Sequence, residues 1–149
     1  MKKDIALLLL RQLGLLMALG HGWGKIAALA AGQGGGFIHG VSELGFPAPA
    51  VFAWAAALAE FVGGLCVALG VGTRYAAGFV GFTMFVAAFV RHNAHKHLLV
   101  KLGLFNPGDD VLTAWGNPEL AFIYCLGFVA IALLGGGRLA LDPLLGRRR

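Results

Sequence analysis

The sequence predicts an all-α integral membrane protein: an antiparallel bundle of four transmembrane helices with both termini in the cytoplasm. Three observations carry this expectation. Hydrophobic residues make up 58% of the 149-residue chain, against the ~45–50% usual for soluble domains even with glycine counted in. Charged residues are only 13%, about half the usual share. The apolar residues also gather into four runs, each near the ~20 residues a helix needs to cross the hydrocarbon core. No strand-like alternation interrupts those runs, so a β-barrel is excluded.

The runs fall at about 5–31, 51–71, 75–90 and 120–134, within one membrane domain spanning 1–149. The first follows Lys2 and Lys3 and superficially resembles a signal peptide. It continues to about Ala31 with no small-residue cleavage site and is read as a retained span. Residues 32–49 open on Gly32-Gln33-Gly34-Gly35-Gly36 and close on Pro47-Ala48-Pro49. The glycine run precedes no strand and is read as a loop rather than a nucleotide-binding turn. The short Gly70-Val71-Gly72-Thr73-Arg74 turn makes the second and third spans an antiparallel hairpin. A longer polar segment, 91–119, leads to the fourth span, which stops at Gly135-Gly136-Gly137.

The net charge of +5 does not indicate nucleic acid, because no recognition motif accompanies it and the positive residues sit at the termini and in the connections. Their distribution sets orientation instead. Lys2, Lys3, Arg74, Arg138, Arg147, Arg148 and Arg149 share one side, and Lys25, Arg91, Lys96 and Lys101 the other. The excess on the first side places both ends in the cytoplasm.

Ionisable groups within the spans are the candidate functional residues, since each costs at least ~2.5–3.5 kcal/mol to insert. Arg11, His21 and Lys25 lie in the first span and Glu60 in the second. At ~100° per residue, Arg11 and Lys25 fall within about 40° of each other, and His21 about 40° further round. Gly14, Ala18 and Gly22 share that sector, and Gly63 and Gly64 flank Glu60. Depth along the helices makes a contact of Glu60 with Arg11 or His21 the expected one, with Lys25 free to snorkel to the interface. Two readings stand. In one, the basic stripe and Glu60 lock two helices together. In the other, Glu60 and His21 exchange protons while Arg11 and Lys25 bind the oxygen atoms of a polar head group.

His92 and His95, in Arg91-His92-Asn93-Ala94-His95-Lys96-His97, are three apart and could share a helical face, a spacing that can chelate a metal. The adjacent Arg91 and Lys96 disfavour a cation, and a solvated turn is the expected reading. His39 is a lone loop histidine. Cys66 and Cys125 sit at different depths, so no disulfide is expected. No nucleophile–base pattern suggests hydrolysis. A bis-histidine haem would need a second intramembrane histidine facing His21.

Several motifs in order carry a family resemblance. They are Leu9-Leu10-Arg11, His21-Gly22-Trp23-Gly24-Lys25, Gly45-Phe46-Pro47-Ala48-Pro49, Glu60-Phe61-Val62-Gly63-Gly64 and Leu69-Gly70-Val71-Gly72-Thr73-Arg74. The last, Gly137-Arg138-Leu139-Ala140-Leu141-Asp142, is similar to a Gly-Arg-Tyr-Ser-Leu-Asp ending. Over nearly its whole length the chain resembles the DoxX family of four-helix bacterial membrane proteins. The resemblance implies a bundle in the cytoplasmic (inner) membrane, associated with redox enzymes and in some relatives with quinone. It also implies that Arg11, His21, Lys25 and Glu60 are the family's polar positions, although the histidine-rich 91–97 run departs from the family pattern.

The expected function is that of a membrane subunit of a redox system, handling a quinone-like molecule. No electron carrier is evident in the chain itself, so a partner would supply flavin, haem or metal. The alternative is a scaffold or assembly subunit of a larger membrane complex, in which Gly20 and Gly24 would serve helix packing. A transporter is disfavoured because no inverted repeat is visible. The bilayer and other membrane or redox subunits are the expected partners, with self-association open.

Overall fold

A computed structural model describes residues 1–143 and 146. Arg147, Arg148 and Arg149, counted above in the charge balance, lie outside the described residues. Within these, the chain is helical throughout its ordered elements, with no strand. Three helices are long and apolar enough to cross a membrane: α1 (Lys2–Ala30), α3 (Pro49–Leu69) and α4 (Thr73–Arg91). Between α1 and α3 lies α2 (Gly35–Glu43). After α4 come two short helices, α5 (Ala94–Lys101) and α6 (Asp109–Trp115), and then α7 (Glu119–Leu134).

α1, α3, α4 and α7 form the bundle: α1 packs on α3, α3 on α4, α4 on α7 and α7 back on α1. The core between them is Met17, Val67, Ala77, Val80, Met84, Tyr124, Phe128 and Ile131. Large apolar side chains such as Leu9, Leu16, Phe79, Leu126 and Leu133 face outward, as a lipid-facing surface requires.

The expected span boundaries hold to within about three residues in all four cases, and α7 is the short one. Its 16 residues rise about 24 Å at 1.5 Å each, less than the ~30 Å hydrocarbon core. Asn117-Pro118 interrupts the helix, and α6 joins α7 at a 43° bend. Proline at that point has no amide to continue the ladder. Taken together as one bent span, α6 and α7 are long and apolar enough to make a fourth crossing.

Two expectations are corrected. The segment 32–36 is not wholly loop, because Gly35 and Gly36 open α2. Phe37, Ile38 and Val41 give this helix an apolar face that seals Leu29, Ala53 and Ala57 at the ends of α1 and α3. That face was hidden by the glycine run in front of it. Nor do Gly20 and Gly24 serve packing within the chain, since a Cβ on either would meet open space. The close approach of α1 and α3 uses Gly14, Gly22 and Gly64 instead. A Cβ on Gly14 would strike the Gly64 carbonyl and the Ala68 backbone, and one on Gly22 would strike Phe61.

Each long helix contains one widened π turn: Ala18–Gly22 in α1, Ala59–Gly63 in α3 and Val86–Arg91 in α4. Such turns add a residue to the helix and rotate everything beyond them. They recur at functional sites. Here they carry His21, Glu60 and Arg91, so three of the chain's intramembrane or membrane-edge ionisable groups sit where the helical register slips.

Candidate functional site

Glu60 is almost fully buried, at 3% side-chain exposure, while Lys25 keeps 32%. The Lys25 Nζ donates to both carboxylate oxygens of Glu60, at 2.5 and 2.7 Å. A lysine near the end of a span ordinarily extends toward water. Lys25 instead turns into the bundle, and its ammonium also lies 4.9 Å from the centroid of the Phe37 ring. The pair satisfies the charge that would make Glu60 prohibitive in lipid.

The expected partner of Glu60 was Arg11 or His21, and neither is found there. Arg11 is 2% exposed and points to the opposite end of the bundle. It donates to the carbonyls of Gly136 at 3.0 Å and Leu139 at 3.3 Å. Asp142 continues the same segment and accepts from the Gly72 amide at 2.7 Å, the Thr73 amide at 3.0 Å and the Thr73 hydroxyl at 2.7 Å. The Gly137–Asp142 motif is thus a strap that fixes the end of α7 to α1 and to the α3–α4 turn. Asp4 joins it by accepting from the Arg138 amide at 3.1 Å.

His21 lies one turn below Lys25 on α1, its ring 5.8 Å from Tyr124 in an edge-on arrangement. His21 and Glu60 do line one cavity, described next.

Two cavities meet at the ion pair. The larger, about 560 Å³, lies among α2, α3 and α4. Phe37, Phe46, Phe52, Phe79 and Phe82 supply its apolar walls, and Lys25, Glu60, Thr83, Arg91 and His92 its polar groups. Phe79 and Phe82 are also exposed on the outer surface of the bundle, so this wall of the cavity reaches that surface. The smaller, about 220 Å³, lies among α1, α3, α4 and α7. Met17, Met84, Leu120 and Ala121 line it together with the polar side chains of His21, Lys25, Glu60, His92, Asn117 and Tyr124.

The five phenylalanines were not foreseen as site residues. In sequence they are ordinary components of apolar runs, and the three-residue spacing of Phe79 and Phe82 on α4 is the one signal that could have marked a shared wall. Phe46 reaches the cavity from the turn before α3, packing 4.9 Å from Phe52. That turn holds Ala48 in a left-handed conformation (φ 49°) between two prolines, a geometry costing ~1–2 kcal/mol for a residue with a Cβ.

His92 and His95 do not share a helical face. Asn93 adopts a left-handed conformation (φ 51°) and separates the end of α4 from α5. His92 Nδ1 contacts the Trp115 carbonyl at 2.7 Å, and the His95 ring stacks on Phe89. Among the described residues no group of three or more His, Cys, Asp or Glu side chains is placed to hold a metal. Cys66 and Cys125 are both free thiols.

Sequence comparison gives a consistent picture. The family model described as DoxX matches residues 6–93. The chain is 31% identical over 151 aligned positions to the inner membrane protein YqjF of Escherichia coli (strain K12), covering 99% of each. No solved structure matches.

Proposed function

The chain belongs to the DoxX family of membrane proteins, and from that membership and the cavity at Glu60 we propose a bacterial inner-membrane redox subunit that binds a quinone-like molecule. The observation that carries the reading is the larger cavity, whose aromatic walls end on the Lys25–Glu60 pair. Its ~560 Å³ falls in the range of small-molecule sites, apolar overall with a few converging polar groups.

A quinone supplies two carbonyl acceptors on a flat ring and takes up protons when reduced. The phenylalanines offer ring contacts and exclude water, and the wall that reaches the outer surface of the bundle leaves room for an isoprenoid tail. Lys25 and Arg91 are donors suited to the carbonyl oxygens, and Glu60 is a carboxylate from which a proton can be passed or received. The electrons would come from a partner subunit. His21 and Arg11, assigned to proton exchange and ligand binding on sequence grounds, stand outside this pocket. His21 serves the smaller cavity, and Arg11 serves the strap.

Binding is tested by titrating the purified protein in nanodiscs with a short-tailed ubiquinone or naphthoquinone analogue. Saturable binding is expected, weakened about tenfold by a Lys25→Met/Phe82→Ala double variant, a loss of ~1.4 kcal/mol. No saturable binding, or binding indifferent to both changes, would sink the reading.

One observation favours the scaffold alternative. The two hydrogen bonds between Lys25 and Glu60 and the close packing of Gly14 on Gly64 together suffice to lock α1 to α3. Under that reading, solubilisation in mild detergent retains a stoichiometric cofactor-bearing partner and Glu60→Gln leaves redox phenotypes unchanged.

For orientation, we propose that the end carrying Lys2, Lys3, Arg74 and Arg138 is cytoplasmic, following the positive-inside bias. The strap that ties residues 136–142 to Arg11 and the α3–α4 turn supports treating 1–149 as one domain.

A further inference from the structure

The smaller cavity has a composition unlike the larger one. From Lys25 to Met17 along α1 it extends about 12 Å, eight residues at ~1.5 Å each. Its outer end is formed by Asn117 and His92, both in connections between helices, and Asn117 is exposed. His21, Tyr124, Lys25 and Glu60 line it further in, and Met17 and Met84 close it. Six polar side chains around about 220 Å³ are enough to hold several waters, each of which needs two to four polar partners. Ionisable groups within a membrane characteristically face such water-filled spaces.

We infer that this smaller cavity is a water-filled access route joining Glu60 to the aqueous phase at the loop end of the bundle, separate from the apolar pocket on the other side of the ion pair. Glu60 and Lys25 line both spaces, together with Ala87 and His92, so the carboxylate can face water on one side and a bound molecule on the other. The groups around Glu60 are Lys25 and His21 from α1, Arg91 and His92 at the end of α4, and Tyr124 from α7. This inference rests on the reading of Glu60 as a proton-exchanging group. It adds the side from which that proton arrives.

The route is tested with single cysteines in full-length protein in liposomes, on a background of Cys66→Ser and Cys125→Ser. Silver ion serves as a small, water-borne thiol probe. Met84→Cys places the thiol in the cavity at a side chain only 6% exposed. Val80→Cys, one turn deeper on α4 and fully buried, is the control. Met84→Cys is expected to react at least about tenfold faster, because access governs the rate for otherwise similar thiols. Equal rates would overturn the inference. Should Met84→Cys fail to fold, Ala121→Cys against the lipid-facing Leu126→Cys gives the same comparison.

A second arm separates the two readings. A short-tailed quinone analogue should slow labelling of Thr83→Cys, in the larger pocket, by a membrane-soluble maleimide, and leave the silver rate at Met84→Cys unchanged. Loss of the first effect alone removes the quinone site and leaves the water route standing. A parallel slowing at Met84→Cys would mean one continuous pocket and overturn the route.

Discussion

At the scale of single residues, the Lys25–Glu60 pair concentrates both signs of charge at a point where either alone is costly. Removing Lys25 leaves a buried carboxylate with no counter-ion. Lys25→Met is expected to destabilise by roughly 3 kcal/mol, the low end for a broken buried pair, since Lys25 retains 32% of its exposure. Lys25→Met combined with Glu60→Met should recover most of that loss, because apolar replacements of both partners are often neutral. Unfolding in mixed micelles measures both, and a double variant no better than the single would show that Glu60 has another partner. The four polar residues of this stripe were legible from sequence; their pairing was not. Wheel arithmetic put Arg11 and Lys25 about 40° apart. The π turn at Ala18–Gly22 adds a residue between them, widening the separation to about 140° by the same arithmetic. The two also lie about 21 Å apart along the axis at ~1.5 Å per residue, and Arg11 meets the strap while Lys25 meets Glu60.

At the scale of helices, the apolar runs and breaking residues marked α1, α3 and α4 well, because length and hydropathy are what the bilayer selects. The short α7 was also found, but its bend against α6 was not. Helix contacts were less readable, since every glycine in an apolar span looks equally suited to packing. The structure separates them. Gly64→Ala is expected to cost ~1–3 kcal/mol as an overpacking change, with the Gly14 carbonyl and Ala18 in the way. Gly24→Ala, facing open space, should be neutral or stabilise by ~0.5–1 kcal/mol through helix propensity. Thermal denaturation in detergent distinguishes the two, and a larger loss at Gly24 would point to a neighbouring chain on that face.

At the scale of the whole molecule, the N-terminus, the α3–α4 turn and the strap lie at one end of the bundle, as the contacts of Asp4, Gly72 and Asp142 require. A reporter fused into the Arg74 turn should therefore report the same side as one at the N-terminus, and that side should be the cytoplasm. Opposite sides for the two fusions would contradict an even number of crossings. Asp142→Ala removes a carboxylate that accepts three hydrogen bonds from the Gly72–Thr73 segment. A loss of at least ~2 kcal/mol is expected, with less than additive loss when Arg11→Met is added, since both hold the same strap. Full additivity in a double-mutant cycle would mean that they act independently. The strap was visible in sequence only as a motif, because nothing local says that an arginine in the first span belongs with carbonyls 125 residues away. That separation has a consequence for biogenesis. At ~5–20 residues per second, Arg11 leaves the ribosome about 6–25 s before the carbonyls that will receive it. Lys25 waits for Glu60 across only 35 residues. The first helix thus enters the insertion machinery carrying a guanidinium that the Gly136–Leu139 carbonyls must come to satisfy, and a nascent chain halted before them should be more extractable and more open to proteases than one halted after them.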